Sequence, residues 1–167
     1  VLTLTRKSGY ALIALAHLAQ DAGACCSARE IARRYRIPLS LLMNLLKLLT
    51  HRGLARSVRG PRGGYTLAAP PSEITLTNII EAVEGPIHLA RCVARGDEKG
   101  PVGGKEGCEL MSCCPARPSV YRVHQRLIQF LDELTLAQIA GDPGPSPGDP
   151  LEDCPGKVTG AREERQT

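Results

Sequence analysis

A chain of 167 residues with a net charge of +4, 43% hydrophobic residues, no Trp and a single Phe has the length of one domain plus appendages, with a core of Leu, Ile, Ala and Val. The charge is uneven: residues 1–67 hold 11 Lys/Arg against 2 Asp/Glu, a net of +9, which leaves −5 for the rest. A basic half joined to an acidic half suits a nucleic-acid face with a separate regulatory or assembly face, and no nucleophile–base pair or carboxylate dyad suggests an enzyme.

The first predicted helix opens at Thr5 and runs to about Gln20, with Tyr10, Ile13, Ala14, His17 and Leu18 recurring at three- and four-residue intervals. Its apolar run, Tyr10 to Ala19, has no cleavage site, is broken by His17 and is too short to span a bilayer. A cytoplasmic protein is therefore expected, with no membrane partner and no small-molecule substrate. Cys25 and Cys26 follow in a turn and read as packing thiols. Ser27 and Glu30, spaced as a capping box, start the second helix, Ala28 to about Arg36, which carries Arg29. Ile37–Pro38 makes a short turn, and the third helix runs from Leu39 to about His51 before Gly53 stops it.

Two helices across so short a turn form a helix-turn-helix, the second being the one that enters a major groove. On it Leu42, Leu45, Leu46 and Leu49 fall to one side, and Ser40, Leu41, Met43, Asn44 and Lys47 to the other. Ser40, Asn44 and Lys47 can hydrogen-bond base edges or phosphates, and Leu41 and Met43 can touch thymine methyls. Next come strand candidates Ala55–Val58 and Tyr65–Leu67. Between them lies a turn with Arg59, Gly60, Pro61, Arg62, Gly63 and Gly64 and no acidic residue. Glycines let the backbone approach a surface closely, and two guanidinium groups suit phosphates or a narrow minor groove. The hairpin reads as the wing of a winged helix bound to double-stranded DNA.

A fourth helix is expected from Leu76 to Glu84. The Gly-rich stretch from Ile87 to Pro115 that follows carries Cys92, Cys108, Cys113 and Cys114. Seven cysteines, an odd number in a reducing compartment, point to metal or redox chemistry rather than a disulfide framework. A thiol switch without metal stays open, and zinc is disfavoured by the absence of a CxxC pair. From about Pro118, Val120, Val123, Leu127, Phe130 and Leu134 repeat at three and four as an a/d seam. A homodimer through that seam would serve a protein reading two half-sites. His124 on the same helix reads as packing or interface. Beyond Gly141, GDPGPSPGDP and the polar end, with Cys154, read as a disordered tail. The expected divisions are a winged helix-turn-helix domain at 1–84, a cysteine-bearing loop at 85–117, a dimerisation helix at 118–140 and a tail at 141–167. The fold class is mainly α with a small β-hairpin.

The segments LTRKSGYAL, IARRYRIPLSLLMNLLKLLTHRGL, VRGPRGGYTL and FLDELTLAQI resemble the Rrf-two family of bacterial transcription regulators, over about residues 2–140. Its iron–sulfur members, of the IscR and NsrR kind, are the nearer match. The resemblance implies a homodimer joined through the long helix. It also implies an iron–sulfur cluster of the 2Fe–2S or 4Fe–4S type, bound by thiolates in the loop before that helix. Counting along the matching segments, the three cysteine ligands fall on Cys92, Cys108 and Cys114, with GDEKGPVGG resembling an insertion between the first two. The fourth position departs from the pattern: Arg117 stands where IscR-like proteins have His, and Ser8 where NsrR-like proteins have an acidic residue. Cys113, His88, Glu109 and Ser8 remain as candidates. The resemblance thus implies a regulator, a repressor in the first instance, whose operator affinity follows redox, nitric oxide or iron–sulfur status. A cluster-free thiol-switch regulator and a cluster-carrying assembly factor that does not bind DNA are the alternatives.

Overall fold

The computed structural model describes residues 4–20, 25–61, 63–93, 108, 110 and 112–141. Along them run α1 (Arg6–Gln20), α2 (Ala28–Tyr35), α3 (Leu39–His51), β1 (Ala55–Val58), β2 (Gly64–Leu67), α4 (Leu76–Glu84), α5 (Arg117–Glu133) and α6 (Leu136–Gly141). Single 3-10 turns lie at Pro71–Glu73 and Arg91–Val93. Cys154, the expected tail from 142 and the insertion between Cys92 and Cys108 lie outside the described residues, as do Arg62 and Glu109.

Helix α1 is central because its apolar stripe carries alanines. Ala11, Ala14, Leu15 and Leu18 are buried, and the small side chains let α3, α4 and α6 all pack against it. Ile13, expected on the buried side, is instead 37% exposed. The stripe is centred on Ala11, Leu15 and Leu18, and Ile13 falls beyond its edge. His17 is buried, as expected of a packing residue. Its Nδ1 lies 3.3 Å from the Tyr35 hydroxyl, and the two rings meet edge to face.

Ser27 caps α2 by accepting the Glu30 N–H at 3.1 Å, which satisfies one of the unpaired donors of the first turn. Arg36 ends α2 in the left-handed region, φ 53°, and the Ile37 N–H then bonds back to the Ala32 carbonyl at 3.0 Å. Ile37 is buried and pins the turn. Helix α3 begins at Leu39 after Pro38 and buries Leu42, Leu45, Leu46 and Leu49 as expected. Each such leucine contributes about 1.5–3 kcal/mol by leaving water.

Strand pairing runs from Ala55–Leu67 to Val58–Gly64. Strand β2 has a further neighbour, because Cys26 and Tyr65 exchange backbone hydrogen bonds of 3.1 and 2.9 Å. Gly64 makes this approach possible: a Cβ there would sit 2.3 Å from the Cys26 carbonyl oxygen. Cys26 is buried at this junction, so its bland reading has a structural reason.

Thr75 and Asn78 form a reciprocal capping box that opens α4. The C-terminal segment is tied to the same point. The Leu76 N–H donates to the Leu134 carbonyl and the Leu136 N–H to the Ile74 carbonyl, each at 2.8 Å. Helix α5 packs Ile128 and Leu131 against Ile80 and Ile87, with His124 buried on the same side. The expected seam lies on a neighbouring stripe: Val123 and Phe130 are 55% and 56% exposed, while Leu127 is half-buried at the border. Leu134 falls just past the end of α5, in extended backbone.

Candidate nucleic-acid interface and thiol site

The face built by α2, α3 and the hairpin is open and basic. Ser40, Met43, Asn44 and Lys47 are exposed on α3, with Leu41 half-buried beside them. Arg29 is exposed on α2, and Arg59, Gly60 and Pro61 at the hairpin tip. The tip turn needs its glycines. Gly60 has φ +134°, and its carbonyl accepts the Gly63 N–H at 2.9 Å. A Cβ on Gly63 would meet the Val58 carbonyl oxygen at 2.4 Å, so this backbone is shaped for close approach rather than for side-chain contact.

These elements carry more exposed cations than the expected set. Arg33, Arg34, Arg36, Arg52 and Arg56 are all exposed, and Arg34 lies over the Tyr35 ring, 5.8 Å from its centroid. That stacking orients one guanidinium through a ring held in turn by His17. The run of Arg in the sequence was the available signal.

Ser8 is 2% exposed, and its hydroxyl donates to Glu84 Oε1 at 2.6 Å; Thr5 donates to the same oxygen. The start of α1 is thereby tied to the end of α4. Ser8 has no exposed oxygen left to offer a metal, yet a carboxylate stands directly beside it. The Ser8 and Thr5 hydrogen bonds, with a smaller contribution from the Lys7 charge, hold the Glu84 carboxyl below its ordinary value near 4.5. A group depressed in the folded state stabilises it above the unfolded pKa and loses that contribution as pH falls through the folded one. The stability gap between the protein and Glu84→Gln is therefore expected to be constant near neutrality and to close as pH drops below about 4.5, the ordinary carboxylate value. Thermal unfolding of the two proteins from pH 7 to pH 3 checks this. A gap that does not narrow in acid would rule the tie out.

The thiols flank α5. Cys92 is half-buried on the 3-10 turn Arg91–Val93, a turn that packs on α5 and in which Val93 is buried. Cys114 is half-buried at the other end of the loop. Its N–H bonds the Leu110 carbonyl at 2.8 Å, and its carbonyl accepts the Arg117 N–H, the first of α5, at 3.4 Å. Cys113 is exposed, and Cys108 and His88 are half-buried. All these cysteines are free. Free, partly shielded thiols are the donors an iron–sulfur cluster takes, so the set fits in kind. They are not gathered: among the described residues no three His, Cys, Asp or Glu converge on one metal position.

A helix-turn-helix followed by a glycine-tipped basic hairpin defines a winged-helix DNA-binding protein. The Rrf2 family, described as an iron-dependent transcriptional regulator, matches residues 4–142, and the chain belongs to that family. It is 33% identical over 140 residues to the HTH-type transcriptional regulator IscR of Serratia proteamaculans, covering 83% of this chain and 79% of that one. Among solved structures it is similar to CymR (YrzC), the global cysteine regulator of B. subtilis. That match has 30% identity and a TM-score of 0.64, over 84% of this chain and 98% of the other. It is similar also to IscR of T. potens, with 27% identity and a TM-score of 0.61 over 84% and 88%. The protein is a DNA-binding transcriptional regulator. Its relatives are regulators rather than enzymes, and among the described residues no helix is long and apolar enough to cross a membrane.

Proposed function

We propose that the chain acts as a homodimer on a two-half-site operator and that an iron–sulfur cluster held by Cys92, Cys108 and Cys114 sets its affinity. The observation that carries this is the position of the thiols on the path to the recognition helix. Cys114 is bonded to the first turn of α5, Cys92 sits on a turn packed against α5, and the far end of α5 is hydrogen-bonded to the start of α4. Helix α4 packs in turn on α3. Drawing Cys92 and Cys114 together would fix the amino end of α5 against the winged domain, and letting them part would release it. A bound cluster would supply redox-active iron and sulfide at that end. For the fourth position the candidates are Cys113, His88 and Glu109, and the Ser8–Glu84 pair adds a carboxylate where the resemblance looks for an acidic residue on helix one.

A regulator switched by the thiols alone is the second reading. It is favoured by the likeness to CymR of Staphylococcus aureus, which has been solved in an oxidized form and is 29% identical to this chain.

In DNA binding, Ser40, Asn44 and Lys47 are the base or phosphate donors, Leu41 and Met43 the apolar contacts, and Arg29, Arg59, Gly60, Pro61, Arg62 and Gly63 the backbone clamp. Arg59→Ala is expected to weaken operator binding without altering the fold. If Arg59 neutralises one phosphate, its loss flattens the salt dependence by about one unit of slope. Binding titrations across a salt series test this. An unchanged affinity and slope would remove the hairpin tip from the interface.

A further inference from the structure

Among the described residues, four have a positive φ, and three of them are glycines: Gly53, Gly60 and Gly85. The fourth is Arg36, at φ 53° and ψ 37°, in the turn between α2 and α3. An L side chain in this region is crowded by its own carbonyl, which is why glycine is usual just after a helix. The turn itself does not call for the arginine. The N–H groups of Arg36 and Ile37 both return to the Ala32 carbonyl, and Ile37 is buried with Ile31 and Ala32. Those are backbone bonds and an apolar contact, all of which glycine at position 36 would keep. The Arg36 side chain is exposed, and no acidic residue occurs from Ile31 to Ser72, so its charge has no local counterpart.

The place of Arg36 in the chain supplies a use for it. Leu39 begins α3, and Arg36 lies four residues before Ser40. A recognition helix meets the bases with its first residues, so the turn before it stands at the edge of the groove, among the phosphates. Consecutive Cα atoms are about 3.8 Å apart, which keeps Arg36 within about 11 Å of Leu39. A guanidinium fork can take a phosphate by two parallel hydrogen bonds. The backbone carrying it is fixed by the buried Ile37 and by Pro38, so little order is lost on binding.

We infer that Arg36 binds an operator phosphate at the mouth of the major groove, and that the chain keeps an arginine in a left-handed turn at a cost in stability for that contact. This rests on the assignment of α3 as the recognition helix and adds a contact outside α3 and the hairpin. Left-handed residues other than glycine persist where their surroundings over-determine them, and they gather at functional sites. Strain also sets Arg36 apart from Arg33 and Arg34, which lie in ordinary helix on α2, where binding and stability are not opposed.

The test is made on the full chain and on Arg36→Gly, Arg36→Asn and Arg36→Lys. It reads the thermal midpoint, and the affinity over a salt series for a short duplex selected from a random-sequence pool by the starting protein. Arg36→Gly is expected to melt about 2–4 °C higher. It is nevertheless expected to bind about tenfold more weakly for each chain bound at about 0.1 M salt, with a salt dependence shallower by about one unit per chain. Arg36→Asn, which tolerates the left-handed region without glycine's freedom, is expected to show the same loss of binding. Arg36→Lys keeps the charge and is expected to keep the slope. Neutral variants with the affinity and slope of the starting protein would overturn the contact. So would a glycine variant that melts lower, since weaker binding would then follow from a damaged turn, and so would a lysine variant that loses the slope. A starting protein that enriches no duplex, or binds it independently of salt, would remove Arg36 and the assigned interface together.

Discussion

Phe130→Glu is expected to yield a folded monomer that no longer binds a two-half-site operator tightly. Phe130 is more than half exposed and belongs to none of the three buried clusters, so the winged domain should not be affected. In a dimer built on the Val123–Phe130 stripe the substitution buries two carboxylates without partners, one from each chain. An unpaired buried charge costs several kcal/mol, enough to lower operator affinity by about a hundredfold or more through loss of the second half-site. Leu127 is a poorer place for the same experiment. It also packs beside Ile80, Ile87, Ile128 and Leu131, and a charge there would disturb the monomer as well. Sedimentation of Phe130→Glu as an intact dimer would show that another surface joins the chains.

The second large effect concerns the thiols. Protein purified without air is expected to be coloured, and Cys92→Ala, Cys108→Ala and Cys114→Ala are each expected to abolish the visible absorption. Cys25→Ala and Cys154→Ala should retain it, as should Cys26→Ala, whose side chain is buried where Tyr65 bridges the hairpin to α2. Losing one of three thiolates leaves a site with too few anionic donors, which is why the loss should be complete rather than graded. Iron and acid-labile sulfide per subunit are the measurement. Zinc without sulfide would replace the cluster by a structural metal, and neither metal nor sulfide would leave the thiol switch.

Much of this was legible in the sequence because it is local. The bounds of α3, its leucine face and α4 follow from period and caps that act within a few residues of each other. The hairpin follows from its glycines and arginines in the same way. What escaped is long-range or depends on how one helix leans on another. Ile13 has the spacing of a core residue, but a stripe of alanines drew the helix contacts to one side. In α5, heptad spacing marked the seam yet not the second face through His124, Ile128 and Leu131, since both have helical period and only α4 decides which is covered. Ser8 meets Glu84 across 76 positions, and Cys26 meets Tyr65 across the recognition helix; neither has a local signal. For the thiols, the place of Cys92 and Cys114 before α5 could be read, but not how near Cys92 and Cys108 come to each other, because a long insertion separates them.

Operator affinity of one preparation, measured anaerobically with its iron and sulfide content and again after the cluster has been removed, tests the proposed switch most directly. The expected result is iron and sulfide bound per subunit, together with an operator dissociation constant that changes about 5- to 150-fold on removal, the scale of coupling between two sites in one protein. A protein that takes up iron and sulfide through the three cysteines yet binds its operator equally well with and without them would contradict it.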